Sequence, residues 1–288
     1  MTKDIFFDRV TVLGVGLIGG SFALAMKKRR LCGHICGFGR KETNLVRARD
    51  MGMIDSFALD PAEASVGSDL ILFSLPIGFF TETAKRIKSS LKTGALVTDA
   101  GSVKGRLVCQ MEDILSDKVS FIGAHPIAGS DKSGIDTAGP DLFLGRRCIV
   151  TATDRSNRSA MDLVVSLWQC LGAEVVPMSP EEHDRVFGAV SHLPHLIAYE
   201  MVNAIDEIDS SYLGYSGQGF ADTTRIAASS PELWRDISIF NAENLAVFID
   251  VFIGRLEKLK RNVVSGRADL LESEFRKAKA LRDSIGQD

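Results

Sequence analysis

The amino-acid sequence predicts an α/β fold in which a doubly wound, mainly parallel sheet is followed by a region made only of helices. Three observations lead to this class. Short apolar runs typical of buried strands alternate with helical patterns between Val10 and Pro177. A glycine-rich turn joins the first of these runs to the first helix. From Ser179 to Asp288 only helical periodicity is found, so two domains are expected, at residues 1–179 and 180–288.

The first strand and the first helix enclose a glycine motif. The apolar run Val10–Leu13 leads directly into Gly14, Gly16 and Gly19, which have the spacing G-x-G-x-x-G. Gly14 suits a tight turn, Gly16 the close approach of a pyrophosphate, and Gly19 the packing of helix on strand. The helix that follows, over about Ser21–Lys28, directs N–H groups and the positive end of its dipole toward the phosphates. We therefore predict a Rossmann-like, dinucleotide-binding domain with contacts from Gly14, Gly16, Leu17, Ile18 and Gly19.

The end of the second strand bears on which dinucleotide is bound. This predicted strand, His34–Phe38, is followed by Gly39, Arg40 and Lys41. In such folds an acidic residue here accepts the ribose 2′-OH of NAD, whereas a nearby arginine accommodates the 2′-phosphate of NADP. Ordinary solvated loop charges are the alternative explanation for the two cations. The missing acid favours NADP over NAD, with Arg40 as the contact.

The alternation of strand and helix continues along the first domain. A predicted strand over Asp69–Leu75 ends at Pro76, so Leu75 and Pro76 are expected beside the nicotinamide half of the crevice. Further strands are predicted over Ala95–Thr98, Ser120–Ile122, Arg147–Thr151 and Ala173–Pro177. Helices are predicted over Phe79–Ser90, Gly105–Leu115 and Met161–Leu171.

The second domain begins with a strong helix start. Ser179 is a good N-cap, Pro180 fits the first helical position, and Glu181 and Glu182 complement the helix dipole. Long apolar stripes follow, for example over Leu245–Ile253. One small helical cluster cannot bury stripes of this length, so part of this surface is expected to face a second copy of the chain.

Composition narrows the class of protein. The 288 residues carry 34 basic and 37 acidic side chains, and the net charge of −3 gives no reason to expect a nucleic-acid partner. No apolar run reaches the roughly 20 residues of a membrane span, and the N-terminus lacks the apolar core of a signal peptide. The five scattered cysteines show neither a disulfide framework nor metal-ligand spacing. We expect a cytoplasmic protein with reduced thiols and no metal.

Two polar residues follow predicted strand ends, at the edge where open α/β sheets bind ligands. Ser102 comes after the strand Ala95–Thr98, and His125 lies in a predicted loop that Pro126 stiffens. An imidazole has an unperturbed pKa near working pH, which suits proton removal from an alcohol during hydride transfer. We expect His125 to be this base, and Ser102 to hydrogen-bond its ring and hold the tautomer.

A second polar cluster lies in the first helix of the second domain. Ser191 and His195 are four residues apart and share a helix face, and Pro194 is expected to kink the helix there. A histidine packed in the core is the alternative for His195, and more so for His192 and His183. Three histidines without a cysteine or a paired carboxylate do not complete a zinc site.

A third cluster runs from Gly217 to Arg225. A glycine-rich entry followed by one strong cation suits the capture of a carboxylate, because arginine offers two parallel N–H donors. Gly219 lies in this entry and is counted with Arg225 among the candidate substrate-binding residues.

Five motifs together resemble the prephenate/arogenate dehydrogenase family, which makes the precursor of tyrosine. They are Gly-Leu-Ile-Gly-Gly-Ser (16–21), Asp-Ala-Gly-Ser-Val-Lys (99–104), His-Pro-Ile-Ala-Gly (125–129), Ser-His-Leu-Pro-His (191–195) and Asp-Thr-Thr-Arg-Ile-Ala (222–227), with Trp-Arg-Asp-Ile (234–237) beyond. The match covers nearly the whole chain. It implies a nicotinamide domain joined to a helical dimerisation domain in a homodimer. It also implies oxidative decarboxylation of prephenate to 4-hydroxyphenylpyruvate, with arogenate, or both substrates, as the alternative.

The resemblance implies roles for single residues. His125 would bind the 4-hydroxyl of the substrate ring and take its proton. His195, with Ser191, would help to hold the substrate, and Arg225 would bind one of its carboxylates. Asp131 and Asp222 match family positions that shape the pocket near the subunit boundary.

Two departures and two other classes remain. The family often has a basic residue where Ala221 stands and an acid where Gly39 stands, which leaves the substrate anchor and the NAD preference open. A non-catalytic dinucleotide sensor would need the glycines, but not the histidines and arginine of the three clusters. A related dehydrogenase for a 3-hydroxy acid or an imine would carry a catalytic lysine in its helical domain, and no lysine here occupies a comparable motif.

Overall fold

The computed structural model describes residues 5–115, 119–128 and 134–285. Eight strands form one sheet within these residues, in the order β3-β2-β1-β4-β5-β6-β7-β8. They are β1 (Phe7–Leu13), β2 (Cys32–Phe38), β3 (Ser56–Ala58), β4 (Leu70–Phe73), β5 (Leu96–Asp99), β6 (Ser120–Pro126), β7 (Arg147–Thr151) and β8 (Glu174–Met178). Every neighbouring pair is parallel except β6 and β7. The predicted doubly wound, mainly parallel sheet is confirmed, and its order reverses between β1 and β4, where such sheets open a ligand crevice.

The helices connect and cover these strands. They are α1 (Leu17–Lys28), α2 (Glu42–Asp50), α3 (Pro61–Ser65), α4 (Phe80–Ile87), α5 (Gly105–Leu115), α6 (Arg158–Cys170), α7 (Pro180–Phe187), α8 (Leu193–Asp209), α9 (Gln218–Thr224), α10 (Pro231–Phe240), α11 (Ala242–Val264) and α12 (Ala268–Ser284). The elements α2, β3 and α3 are absent from the prediction. Helix α1 also starts four residues before the predicted Ser21, because tight packing against the sheet holds Gly19 and Gly20 in the helix despite their low propensity.

Both faces of the sheet are buried. Along β4, Leu70 and Leu72 belong to one apolar core, whereas Ile71 and Phe73 belong to a second. Successive side chains of a strand point to opposite faces, so the two cores lie on the two sides of the sheet. This burial explains why the strands read as continuous apolar runs rather than as alternating patterns.

Strand β6 is longer than predicted, and this changes the setting of His125. The strand pairs in parallel with β5 over Ser120–Ile122 and then antiparallel with β7 over Gly123–Pro126. The prediction of His125 in a loop is therefore wrong: it lies in the strand, opposite Ile149. Gly123 and Pro126 are turn-type residues and suggested a strand end. A glycine is required at position 123 of the strand, because a Cβ there would lie 2.4 Å from Oγ1 of Thr151.

The glycine turn has the geometry that its spacing predicts. Gly14 has φ of +100°, in the region that favours glycine, and it follows directly on β1. A Cβ at Gly19 would lie 2.1 Å from the carbonyl oxygen of Gly14, so helix and turn pack without room for a side chain. A Cβ at Gly16 would meet nothing within 4 Å, and this residue is the N-cap of α1.

The long helix predicted from Pro180 is interrupted before Pro194. Helix α7 ends at Phe187, a π-helical turn covers Gly188–His192, and α8 starts at Leu193. Pro194 occupies the first turn of α8, where a missing N–H is tolerated. The irregularity is therefore a π-helical turn, in which hydrogen bonds span five residues instead of four, rather than a proline kink inside one helix.

The described chain divides into two compact units, of which the first ends at Asn241 and the second begins at Ala242. The first unit contains the sheet and α1–α10, and Trp234 and Ile237 of α10 are buried in the second core of the sheet. The strands end earlier, at Met178. Helices α7 to α10 therefore belong to the compact unit that also contains the sheet.

The second unit is a pair of helices, α11 and α12. Arg255 and Lys258 of α11 form ion pairs with Glu274 of α12. Many large apolar side chains of the pair are exposed in the single chain: Val247, Val251, Ile253, Leu256, Val263, Phe275 and Leu281.

Among the described residues, no single helix is both long and apolar enough to cross a membrane, and only the broken pair of α10 and α11 passes that test by length and composition.

We predict that Gly19→Ala lowers the free energy of unfolding by about 2–3 kcal/mol, because its methyl group would overlap the Gly14 carbonyl. The matched control is Gly16→Ala, whose methyl group meets open space and which should cost less than about 1 kcal/mol. Urea unfolding followed by circular dichroism measures both. Equal midpoints for the two variants would contradict the close packing at Gly19.

Candidate active site

Two histidine rings from different elements meet at the carboxyl-end edge of the sheet. Nδ1 of His125, in β6, lies 2.8 Å from Nε2 of His183, in α7. His183 is fully buried, whereas His125 is partly exposed. The ring of Phe187 packs against both, with centroids 5.1 Å from His125 and 4.7 Å from His183. The pair thus has an apolar cover on one side.

A carboxylate continues the line of contacts behind His183. Nδ1 of His183 lies 2.8 Å from Oδ1 of Asp184. The same carboxylate accepts the backbone N–H of Lys104 at 2.7 Å and that of Gly105 at 2.8 Å. These two N–H groups belong to the donors at the start of α5 that have no partner within the helix. Asp184 therefore joins α7 to the N-terminus of α5.

A buried ion pair holds the chain segment between β5 and α5. Nζ of Lys104 lies 2.6 Å from Oδ2 of Asp99, and both side chains are fully buried. The ammonium also donates to the carbonyl of Gly101 at 2.7 Å, and Oδ1 of Asp99 accepts the N–H of Ala124 at 2.9 Å. The residue before His125 is thereby anchored to the neighbouring strand.

The histidines of this cluster are held neutral. Burial, followed by the charges of His183, Lys104 and His192, keeps the pKa of His125 well below its usual range. Burial lowers the pKa of His183 to about 2 and that of His192 to about 4. A neutral imidazole has a lone pair that can accept a proton, so His125 is in the protonation state that a general base requires.

His195 lies in a second group of side chains. Its Nδ1 is 2.9 Å from the carbonyl oxygen of Ser191, and its ring stacks on Trp234 with centroids 3.6 Å apart. His192, fully buried, is linked to Asn241, whose amide donates to Nδ1 of His192 and to the carbonyl of Asp184. Asn241 thereby connects the His192 ring to the backbone behind the His125–His183 pair.

The partner of the His125 ring differs from the prediction. The expected hydrogen bond from Ser102 to this ring is not found among the described residues, and Nδ1 of the ring faces His183 at 2.8 Å. Ser102 lies in the turn before α5, and its backbone faces His192, where it raises the pKa of that ring against the effect of burial. Ser102 is therefore part of the cluster without orienting His125.

The predicted carboxylate-binding segment forms α9 and the turn after it. Burial lowers the pKa of His195, and the positive charge of Arg225, which follows α9, lowers it further. Gly219 and Asp222 lie in exposed α9, where Oδ1 of Asp222 accepts a hydrogen bond from Gln218 at 2.8 Å. Asp131 lies outside the described residues.

The start of α1 has the properties of an anion-binding helix terminus. Its first turn contains Leu17 and Ile18 and carries no acidic side chain, and the N-cap Gly16 leaves open space. Backbone N–H groups and the helix dipole favour negative charge here. The residues present therefore fit a dinucleotide pyrophosphate.

The crevice beside this helix is bordered by the ends of β2 and β4. Leu75 and Pro76 follow β4 and lead into the turn Ile77–Phe79. The guanidinium of Arg40, which follows β2, lies 5.5 Å from the centroid of the Phe79 ring. A cation–π contact thus holds Arg40 at the edge of the crevice.

Several residues of the site are missing from the sequence prediction. The sequence favours a core position for His183 and predicts no individual role for Asp184, Lys104, Trp234 or Phe79. One usable signal was present: Lys104 and Asp99 flank a glycine-containing turn between a strand and a helix, where paired charges can both be buried. Within the described part of the chain, no group of three His, Cys, Asp or Glu side chains is placed to hold a metal ion.

A dinucleotide-type crevice on a doubly wound sheet, next to a pair of neutral histidines, defines a pyridine-nucleotide-type dehydrogenase. Comparison with known families agrees: residues 22–177 match the nucleotide-binding domain of prephenate dehydrogenase, and residues 179–277 match its dimerisation domain. The chain therefore belongs to the prephenate dehydrogenase family.

Individual relatives span nearly the whole chain. A crystal structure of prephenate dehydrogenase from A. aeolicus, in complex with hydroxyphenyl propionate and NAD+, is 37% identical with a TM-score of 0.92, covering 98% of this chain and 100% of that one. Prephenate dehydrogenase of Bacillus subtilis is 32% identical, covering 96% of this chain and 76% of the relative. Cyclohexadienyl dehydrogenase of Zymomonas mobilis is 30% identical, with coverages of 98% and 97%.

We predict that acid weakens the fold through His183. Its pKa is about 2 in the folded chain and about 6.5 when unfolded, so below pH 6.5 the unfolded chain binds a proton that the folded chain excludes. Stability therefore falls as the pH drops. Between pH 7 and 5.5 the wild type should lose roughly 1 kcal/mol more than His183→Gln, which has no titrating group there.

Urea unfolding at the two pH values measures this difference. Leu107→Ala, a truncation in the second core without a titratable group, serves as the control and should lose the same stability at both pH values relative to wild type. An identical pH-dependent loss in wild type and His183→Gln would contradict the depressed pKa.

Proposed function

We propose that the chain oxidises prephenate to 4-hydroxyphenylpyruvate with loss of CO2, passing a hydride to a nicotinamide dinucleotide. The observation that carries the proposal is the neutral His125 ring, anchored in a strand at the ligand-binding edge of the sheet. Family membership and the A. aeolicus complex with hydroxyphenyl propionate and NAD+ support the substrate class. The reaction needs one base, a hydride acceptor and a means of holding two carboxylates.

The proton and electron balance gives His125 its part. A nicotinamide dinucleotide held at the glycine turn would supply the acceptor for the hydride that leaves C4 of the substrate ring. His125 takes the proton of the 4-hydroxyl as that carbon becomes a ketone. The ketone then draws the electron pair of the bond to the ring carboxylate, CO2 leaves, and the ring becomes aromatic. The anchoring of β6 by Asp99 keeps the base fixed while the substrate changes.

The substrate carboxylates are assigned to the helical residues. Arg225 binds one carboxylate through its planar pair of N–H donors. His195 and Ser191 hold the substrate beside the stacked Trp234 ring, and Gly219 leaves room for its approach. Ser102 completes the wall next to His192.

Two acidic residues are assigned to the edge of the pocket by the family resemblance. Asp222 lies in exposed α9, and Asp131 belongs to the segment outside the described residues. Both are proposed to shape the pocket near the boundary with a second subunit.

Prephenate and arogenate differ only in a keto or an amino group on the side chain. Prephenate is the proposed substrate because the B. subtilis and A. aeolicus relatives are prephenate dehydrogenases. The Z. mobilis relative is a cyclohexadienyl dehydrogenase, so arogenate, or use of both substrates, is the alternative.

The proposed division of labour follows the two matched domains. Residues 1–179 bind the dinucleotide, through Gly14, Gly16, Leu17, Ile18 and Gly19, with Leu75 and Pro76 beside the nicotinamide. Residues 180–288 bind the substrate and form a homodimer, and the exposed apolar side chains of α11 and α12 supply its interface. A cytoplasmic location completes the proposal.

We predict that the purified chain reduces the nicotinamide when given prephenate, and that His125→Asn lowers kcat by roughly 10²- to 10⁴-fold. The dissociation constant of the dinucleotide should change little, because His125 lies outside the glycine turn. Nicotinamide absorbance follows the reaction with prephenate and with arogenate. His34→Asn is the control, because His34 lies on β2 and its ring is hydrogen-bonded to Ser56 of β3. A near-normal kcat in His125→Asn would contradict the role of His125 as the base. Absence of turnover with either substrate would refute the proposed function.

We further propose that NADP is accepted at least as well as NAD. Gly39 presents no carboxylate to the ribose, and a Cβ there would already lie 3.3 Å from Cδ2 of Leu45. Arg40 is held at the same edge by the Phe79 ring. Its charge favours the 2′-phosphate, and a carboxylate that would repel that phosphate is absent from position 39.

Arg40→Ala is expected to weaken NADP binding by about fivefold or more and to leave NAD nearly unchanged. An exposed charge pair contributes about 1 kcal/mol, and a bidentate contact contributes more. Calorimetry at two salt concentrations measures this, with salt weakening NADP selectively. Arg49→Ala is the matched control, because Arg49 lies over the Phe57 ring in a similar cation–π contact at 5.6 Å. Equal affinity of wild type and Arg40→Ala for NADP would make Arg40 an ordinary solvated charge.

A further inference from the structure

We propose that Asp184 and His183 are positioning residues that set the tautomer of His125, so that Nε2 of His125 is the nitrogen that takes the substrate proton. The three side chains form one line of contacts, with 2.8 Å between the carboxylate and His183 and 2.8 Å between the two rings. The inference rests on the proposed role of His125 as the base.

The argument starts at Asp184, because its carboxylate is surrounded by donors. Oδ1 accepts the N–H of Lys104 and Oδ2 accepts the N–H of Gly105. Burial raises the pKa of Asp184, and these two N–H groups and the Lys104 charge oppose that rise. A backbone N–H cannot reverse its direction, so both oxygens act as acceptors. Nδ1 of His183 completes the set by donating its hydrogen to Oδ1.

The proton count of His183 then fixes the next contact. The ring is neutral because burial lowers its pKa to about 2, so it carries one hydrogen. That hydrogen is on Nδ1, facing Asp184, and Nε2 of His183 is an acceptor. The atom 2.8 Å from this acceptor is Nδ1 of His125, which must therefore donate.

The same count applied to His125 leaves its Nε2 as an acceptor. Burial and the surrounding groups, which are His183, Lys104 and His192, hold the pKa of His125 low, so its one hydrogen is on Nδ1. The opposite arrangement would need a protonated Asp184 that donates to His183. Every hydrogen would then shift by one position, and Nε2 of His125 would carry a hydrogen and be unable to act as a base.

The line of contacts also bears on the charge that forms during the reaction. When Nε2 of His125 takes the hydroxyl proton, the ring becomes a cation whose Nδ1–H already points at His183. The His183 ring is in turn polarised by the Asp184 carboxylate, and hydrogen bonds to charged groups are roughly twice as strong as neutral ones. A buried cation at His125 thus finds an aligned acceptor without any side chain moving.

Nitrogen-15 NMR of histidine-labelled chain without substrate tests the tautomers directly. The expected result is a hydrogen on Nδ1 of both His125 and His183, with each ring assigned by its own substitution. A hydrogen on Nε2 of His125 would overturn the proposal. This measurement does not depend on turnover, so it decides the inference even if prephenate proves not to be the substrate.

Substitution of His183 tests the functional consequence. His183→Gln keeps an acceptor toward His125 and a donor toward Asp184, whereas His183→Leu removes both. We expect kcat to fall roughly 10²- to 10⁴-fold in His183→Leu and less than about tenfold in His183→Gln, with KM and dinucleotide affinity nearly unchanged in both. The NMR spectrum of His183→Leu should also show a mixture of His125 tautomers.

His34→Gln is the control for replacing a histidine in the same unit and should retain wild-type kcat. A His183→Leu enzyme with normal kcat would overturn the proposal. So would a His183→Gln enzyme as inactive as His183→Leu while its His125 tautomer is unchanged, because the loss would then come from packing. Urea unfolding of each variant identifies loss of the fold, and in that case the tautomer of the wild type alone decides.

Discussion

The arrangement depends above all on one buried carboxylate at the start of a helix. Asp184 accepts two N–H groups from the first turn of α5 and at the same time contacts His183 on its own helix. A helix start without partners would leave these donors unsatisfied in the interior, at a cost of about 1–3 kcal/mol each. Helix α7, which follows the last strand, is therefore bound to the start of α5 by these hydrogen bonds.

The Lys104–Asp99 ion pair, which is fully buried, also joins separate segments of the chain. Burial of both charges is expensive, and removal of either partner would leave the other uncompensated, at about 3–5 kcal/mol. The pair joins the turn after β5 to the backbone of β6 through Ala124. The Asp184 network and the Lys104–Asp99 pair share the segment at the start of α5, because Lys104 donates its backbone N–H to Asp184 and its ammonium to Asp99.

The fold class could be predicted because it rests on local patterns. Alternating apolar runs and the spacing of Gly14, Gly16 and Gly19 indicate a doubly wound sheet whatever the details of packing. The short elements β3 and α3 could not be found this way, because three to five residues carry too little periodicity. The strand at His125 was missed for a different reason. Gly123 and Pro126 resemble loop residues, and only the approach of Thr151 from β7 explains the glycine.

The site was predictable to the extent that its residues lie in motifs. The sequence proposes His125, His195 and Arg225 from a predicted loop, a helix face and a glycine-rich segment, and their roles stay predictions. The contact between His125 and His183 joins residues 58 positions apart, on a strand and a helix whose relative placement depends on tertiary packing. Between His183 and His195, the π-turn at Gly188–His192 also shifts the register of the helix. No local pattern reports such a shift.

The antiparallel pairing of β6 with β7 has a mechanical consequence. A base on a loop can be moved by whatever closes over a ligand, whereas His125 is paired with Ile149 of β7, and the N–H of the residue before it donates to Asp99 of the buried charge pair. The pairing of the strands therefore fixes the position of this ring relative to the dinucleotide crevice. The proposed substrate contacts His195 and Arg225 lie instead on a helix and a turn outside the sheet, where they can adjust to substrates of different shape. In this architecture the reaction chemistry is built into the rigid part of the protein, and substrate choice can diverge among relatives without disturbing it.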